Sequence, residues 1–185
     1  MLESAVEPVM GTLARVNDTS LPGLSLRVIN NSSIEALAAV DPPATARLNL
    51  EADNLDNKLA RNAGTNILDG LGGNDVLAGG AGKDAFVFAS KLNRTSNVDS
   101  IGDFSVRDDT IRLENAIFKG LKAGTLKSDA FAIGPKASDA SDRILYDKSS
   151  GALSFDPDGT GSAAAVKFAV LKKGLALAAA DFFVI

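Results

Sequence analysis

Gly70-Leu71-Gly72-Gly73-Asn74-Asp75-Val76-Leu77-Ala78 runs directly into Gly79-Gly80-Ala81-Gly82-Lys83-Asp84-Ala85-Phe86-Val87. Together they read as the nonapeptide G-G-x-G-x-D-x-U-x, where U is a large apolar residue. The period extends upstream: Leu50, Leu59, Leu68, Leu77 and Phe86 fall nine residues apart. Six glycine-rich residues make a sharp turn, and the x-U-x triplet makes a short strand with one side chain pointing inward. The competing reading is a glycine-rich linker. A linker has no need to hold five apolar residues in register, nor to repeat G-x-D at the matching offset.

A six-residue turn in every nine needs backbone angles that most side chains forbid, and glycine supplies them. Seven glycines lie between Arg61 and Asp84: Gly64, Gly70, Gly72, Gly73, Gly79, Gly80 and Gly82. Stacked turns of this kind gather peptide carbonyls and short carboxylates around a hard cation. Calcium takes six to eight such oxygens in flexible geometry. The chain carries 18 Asp against 5 Glu, which suits tight turns. The candidate calcium ligands and cradle residues are Gly64, Asn66, Gly70, Gly72, Gly73, Asp75, Gly79, Gly80, Gly82 and Asp84. One aliphatic side chain per nine residues is a thin core that cannot offset its own chain entropy. Bound metal is therefore expected to supply much of the folding free energy.

Composition excludes several chemistries. The chain has no His and no Cys. That removes Ser-His-Asp and Cys-His triads, His-based zinc sites, thiolate sites and disulfides. A formal charge of −4 argues against nucleic acid and anionic membrane surfaces. No apolar run reaches the length of a membrane span. No secretory signal peptide is visible, since Glu3 and Glu7 stand where a basic region and an apolar stretch belong.

All nine Phe and the single Tyr lie at or after Phe86, which marks the clearest compositional boundary. The division read from this is a lead-in over 1–44, a repeat region over 45–88 and a C-terminal module over 89–185. From this boundary onward, strands are predicted at 85–88, 100–104, 110–113, 166–171 and 182–185. Two more, at 143–146 and 152–155, flank Asp147-Lys148-Ser149-Ser150-Gly151, a hairpin signal. Short helical turns are predicted at 114–121 and 177–181. Near the start, Leu24, Leu26 and Val28 alternate like a strand. Ser33 to Val40 reads as one helical segment with Ser33 as N-cap. The lead-in is either a remnant of irregular coils or a partly disordered segment.

The run from Gly79 to Phe88 precedes Asn97-Val98-Asp99-Ser100-Ile101-Gly102-Asp103-Phe104 and Asp108-Asp109-Thr110-Ile111-Arg112-Leu113. With Asp142-Arg143-Ile144-Leu145-Tyr146-Asp147, Gly151-Ala152-Leu153-Ser154-Phe155-Asp156 and Ala180-Asp181-Phe182-Phe183-Val184-Ile185, this resembles the C-terminal region of serralysin-type and other RTX exoproteins. The resemblance covers about 45–185. It implies an all-β fold: a right-handed parallel β-roll followed by a β-sandwich-like cap. It also implies that two nonapeptides make one coil, so that Asp84 faces the turn of Asn66 and Asp75 that of Asn57. With an amide in each pair, one or two calcium ions are expected rather than a long ladder. The family implies a secreted, extracellular protein that leaves through a type I ABC transporter. The transporter would read Asp181, Phe182, Phe183, Val184 and Ile185 as an uncleaved signal. The family's catalytic domains precede this region, and nothing in 1–44 could hold one. The chain thus looks like a non-enzymatic calcium-binding and export module. The alternative is an accessory or degenerate module of a protease or lipase, with an exoenzyme partner.

Two further acidic groups remain. Asp156-Pro157-Asp158-Gly159-Thr160-Gly161 echoes half of an EF-hand loop without its distal Glu. It is either a solvated hairpin loop or a second, weak calcium site through Asp156 and Asp158. Asp156-Pro157 is also the dipeptide cut in some self-processing modules of the family, but a turn is the simpler role. Asp99, Asp103, Asp108 and Asp109 are either turn carboxylates or a cap on the last ion.

Overall fold

The computed structural model describes residues 47–185 and, before them, the backbone of three strands. In chain order the strands are β1 (Ala14–Val16), β2 (Leu24–Arg27), β3 (Ala36–Ala39), β4 (Leu48–Glu51), β5 (Lys58–Ala60), β6 (Ile67–Asp69), β7 (Val76–Ala78) and β8 (Ala85–Phe88). They continue as β9 (Asp99–Ile101), β10 (Thr110–Leu113), β11 (Gly124–Thr125), β12 (Phe131–Ile133), β13 (Ile144–Asp147), β14 (Ala152–Phe155), β15 (Val166–Val170) and β16 (Phe182–Val184). The described chain is all-β, with helix confined to two single 3-10 turns at Ser128–Ala130 and Ala179–Asp181.

Through β10 the strands alternate between two sheets. The odd strands β1, β3, β5, β7 and β9 line up in one, and the even strands β2, β4, β6, β8 and β10 in the other. Each pairs in parallel with the strand two along, Leu59 opposite Leu77, Leu50 opposite Leu68 and Leu68 opposite Phe86. The nonapeptide period explains this. Each turn reverses the chain, so successive triplets face each other and alternate triplets stack. In a three-residue strand only the middle side chain points inward. Leu59, Leu68 and Leu77 are fully buried between less buried neighbours. One inward column runs Leu50, Leu68, Phe86, Ile111, Phe182 across five paired strands.

Both sheets continue past residue 88. β9 pairs with β15, and β15, β14 and β13 form an antiparallel meander with β12 alongside β13 in parallel. In the other sheet β10 pairs in parallel with β16, and β11 pairs antiparallel with β16. Both sheets are therefore mixed. Buried residues from Leu50 to Val184 form one core. Its C-terminal part is aromatic: Phe118 packs edge-on against Phe155 and Phe168, and Phe88 against Phe168.

The segment read as a helix from Ser33 to Val40 is corrected in part: Ala36–Ala39 is strand β3, paired with β1 and β5. Ser33 lies outside the described residues. Alanine-rich sequence favours a helix in isolation, but strand neighbours on both sides override a weak propensity. The predicted strand at 100–104 begins one residue earlier and stops at Ile101. The turn at 114–121 is made by Ile117 and Phe118, whose amides donate to the Glu114 carbonyl.

Candidate cation site

Each aspartate of interest stands two residues before an inward apolar side chain, at the point where a turn enters a strand. Its carboxylate can reach the backbone of the coil one step back. The Asn57 amide N–H donates to Asp75 Oδ1 at 2.7 Å, and the Asn66 N–H to Asp84 Oδ1 at 2.8 Å. The pattern repeats above: Asp75 N–H to Asp99 Oδ1 at 3.1 Å, and Asp84 N–H to Asp109 Oδ1 at 2.9 Å. Asp103 accepts from Gly79 N–H and Gly80 N–H, one on each carboxylate oxygen. Two carboxylate ladders thus climb the stack of turns.

The glycines let those turns approach. At Gly73, Gly80 and Gly82 a Cβ would overlap the carbonyl oxygens of Leu55, Asn62 and Gly64 in the turn beneath. All three glycines have left-handed φ, between 87° and 121°. At Gly70 a Cβ would overlap Asp75 Oδ2 and come within 3.1 Å of Asp99 Oδ2, so both carboxylates bound one space. At Gly79 it would meet Asp84 Oδ2.

Two of these second oxygens have no donor. Asp75 Oδ2 and Asp84 Oδ2 are buried without a hydrogen bond, as is Asp53 Oδ2. Asp75 is 1% exposed and Asp84 2%. A buried anionic oxygen without a partner is costly, and an ion is one of the few explanations. The electrostatics agree. Burial, with the neighbouring charges of Asp99 and Asp56, holds the Asp75 carboxyl well above the usual range. Asp99 is raised by burial and by Asp69. Burial, Asp109 and Asp103 push Asp84 up to about 6, against the hydrogen bond from Asn66. Asp109 is raised chiefly by burial. The donor set is all oxygen, carboxylate and carbonyl, which suits a hard divalent cation of the calcium type and no soft metal. Among the described residues no three acidic side chains converge as a metal-holding group. A cation here must therefore take carbonyl oxygens beside its carboxylates.

The sequence-predicted residues fall into separate places. Gly64, Asn66, Gly79, Gly80, Gly82 and Asp84 come together in one pair of stacked turns. Gly70, Gly72, Gly73 and Asp75 lie in the other, over the Asn57 turn. Asp156 and Asp158 stand apart, in the loop after β14. Asp156 Oδ1 accepts from Asp158 N–H and Gly159 N–H, and Asp158 Oδ2 from Ala163 N–H. Asp158 Oδ1, like Asp75 Oδ2 and Asp84 Oδ2, is left buried without a donor. Asp181 Oδ2 accepts from Ala178 N–H, Phe182 and Val184 are buried, and Phe183 and Ile185 face outward.

Asp99 and Asp109 are full members of the ladders, which the nonapeptide period alone does not reveal. Their spacing from the rung below is 24 and 25 residues rather than 18. The signal that finds them is local: Asp99-Ser100-Ile101 and Asp109-Thr110-Ile111 repeat the D-x-U of Asp75-Val76-Leu77 and Asp84-Ala85-Phe86. No family model and no curated protein matches the chain. No helix among the described residues is long and apolar enough to cross a membrane.

Proposed function

We propose that the chain is a secreted, non-enzymatic calcium-binding protein of the RTX type. In this reading the stacked turns form a right-handed parallel β-roll capped by the C-terminal strands. The observation that carries it is the pair of buried, donorless oxygens, Asp75 Oδ2 and Asp84 Oδ2, set among carbonyls in glycine turns. Calcium bound in such a turn supplies positive charge that the carboxylates lack. Extracellular modules bind calcium with Kd on the order of 10⁻⁴–10⁻³ M. At cytosolic calcium levels the Asp-rich turns repel one another, which favours an unfolded, threadable chain.

The export reading belongs with this. Phe182 and Val184 are buried in a central strand of their sheet, between β10 and β11. A transporter that reads Asp181, Phe182, Phe183, Val184 and Ile185 must do so before the chain folds. Calcium outside the cell then orders the roll and opposes return.

Calcium titration followed by calorimetry and circular dichroism tests the central claim. Millimolar calcium is expected to release or absorb heat saturably and to raise β content, with magnesium substituting poorly because it demands a tight octahedron. An unchanged spectrum and no saturable heat would remove the calcium reading. Deleting 181–185 should abolish export through a type I apparatus while expression persists.

A further inference from the structure

The two ladders differ in what stands beside their carboxylates. Around Asp75 and Asp99 the acting charges are all negative: Asp99 and Asp56 on the first, Asp69 on the second. The Asn66–Asp84 tier also faces negative charge, from Asp109 and Asp103, but it brings donors of its own. The Asn66 side-chain amide donates to Gly64 O at 2.8 Å, Asn62 Oδ1 at 3.1 Å, Asn62 O at 3.4 Å and Gly79 O at 3.5 Å. These acceptors come from both stacked turns, so one nitrogen sits where their oxygens converge. The opposite amide orientation would set Asn66 Oδ1 against four oxygens, which fixes the nitrogen inward.

Arg61 adds a full charge to the same tier. It occupies the first position of its nonapeptide, where the next two repeats carry Gly70 and Gly79. All three of its guanidinium nitrogens are buried without a hydrogen-bond partner. The charge it feels is that of Asp84, whose Oδ2 is also buried and donorless. A guanidinium carries five donors and cannot lose its proton in a protein. A buried guanidinium and a bare carboxylate oxygen thus share one tier, with the other oxygen of Asp84 held by the Asn66 N–H.

We propose that the two tiers divide charge compensation between them: Arg61 and the Asn66 amide serve the Asp84 tier as a tethered substitute for a metal ion, and only the Asp75–Asp99 tier takes up a free cation. This division rests on the calcium reading given above. It makes Arg61 a resident competitor of calcium, and it fixes the ion count at one for these two tiers. It also assigns Gly70, which leaves open the space between Asp75 Oδ2 and Asp99 Oδ2.

The test is a calcium chloride titration of the whole chain by calorimetry, reading stoichiometry, with magnesium chloride as comparison. Wild type should bind one ion at this pair of tiers. Asp75→Asn should remove it, and Asp84→Asn should leave the stoichiometry unchanged. Asn66→Asp alone should gain nothing while Arg61 is present. Arg61→Gly combined with Asn66→Asp should gain a second equivalent. Thermal melts of each variant report whether it folds. If Asp75→Asn does not fold, the gain in the double variant decides the matter. Calcium binding that survives Asp75→Asn, is lost in Asp84→Asn, or stays at one equivalent in the double variant overturns the division yet leaves calcium binding in place. Absence of calcium binding in every variant overturns both.

Discussion

A buried carboxylate with one oxygen hydrogen-bonded and the other bare is poised between a proton and a metal. Asp75 and Asp84 are of this kind, and together with Asp99 and Asp109 they hold their protons more tightly in the fold than in the unfolded chain, burial being the leading cause. The folded form then keeps protons that the unfolded form releases. Stability from these groups is full below the ordinary Asp value of about 4. It is lost as pH rises through the folded value, about 6 for Asp84. Metal-free protein is therefore expected to melt several degrees lower at pH 8 than at pH 5, while saturating calcium, which displaces the protons of Asp75 and Asp99, should flatten the trend. Melting curves in chelator that rise with pH would contradict the burial of these carboxylates. Glycine gives a second residue-scale prediction. Gly80 has φ 87°, and a Cβ there would overlap the Asn62 carbonyl, whereas at Gly102 the nearest atom is Leu77 O at 3.9 Å. Gly80→Ala should cost at least about 1–2 kcal/mol from left-handed strain alone. Gly102→Ala should stay within about 0.5 kcal/mol. Equal losses in urea denaturation would mean that the turns do not stack as closely as described.

At the scale of elements, the sequence was most readable where one inward side chain marks each triplet. The column Leu50, Leu68, Phe86 is visible as a period of nine, and the hairpin of β13 and β14 as two apolar runs around Gly151. The period fails beyond Phe86 because the inserted loops lengthen the step, although Asp99 and Asp109 keep the local D-x-U order. β3 was obscured because alanine has no strand signature, and β12 because three residues beside a 3-10 turn carry no alternation. At Asn66 the sequence shows only an amide paired with the Asp84 carboxylate. Only coordinates reveal that its amide fills the space itself. In β16 the alternation is complete: Phe182 and Val184 are fully buried and Phe183 is 42% exposed. Phe182 also packs against Phe131 with ring centres 5.5 Å apart. Phe182→Ala should therefore cost about 3–5 kcal/mol, the usual loss for a buried phenylalanine. Phe183→Ala should cost under about 1 kcal/mol. A comparable loss from both, measured by chemical denaturation, would place β16 outside the core.

Across the whole molecule, the means of stabilisation changes along the chain while the sheets do not. From β5 to β7 each strand contributes a single inward leucine, and the turns flanking them carry the unpaired charge. From β8 onward large rings interlock, with Phe88, Phe118, Phe155 and Phe168 in successive edge-on contact at 5.0–5.3 Å. Aromatic burial of that kind does not depend on an ion. The repeat turns do, because closing them without a cation leaves like charges together in a dry interior. Local opening free energies should therefore differ between the two ends of one continuous pair of sheets. Amide hydrogen exchange read by mass spectrometry, with and without calcium, makes this measurable. In chelator, amides of 48–84 should lose protection first, including the Asn57 and Asn66 N–H groups that donate to Asp75 and Asp84. Those of β13 to β16 should remain protected, since their partners are other strands of the aromatic end. Strands β8 and β10, which join the two ends, should behave as the boundary, retaining protection on the side that faces β16. A uniform loss of protection would mean that the sheets fold as one cooperative unit with the cation linked to all of it. Earlier loss at β13 to β16 than at 48–84 would mean that the glycine turns hold themselves closed without a cation, contrary to the bare oxygens of Asp75 and Asp84.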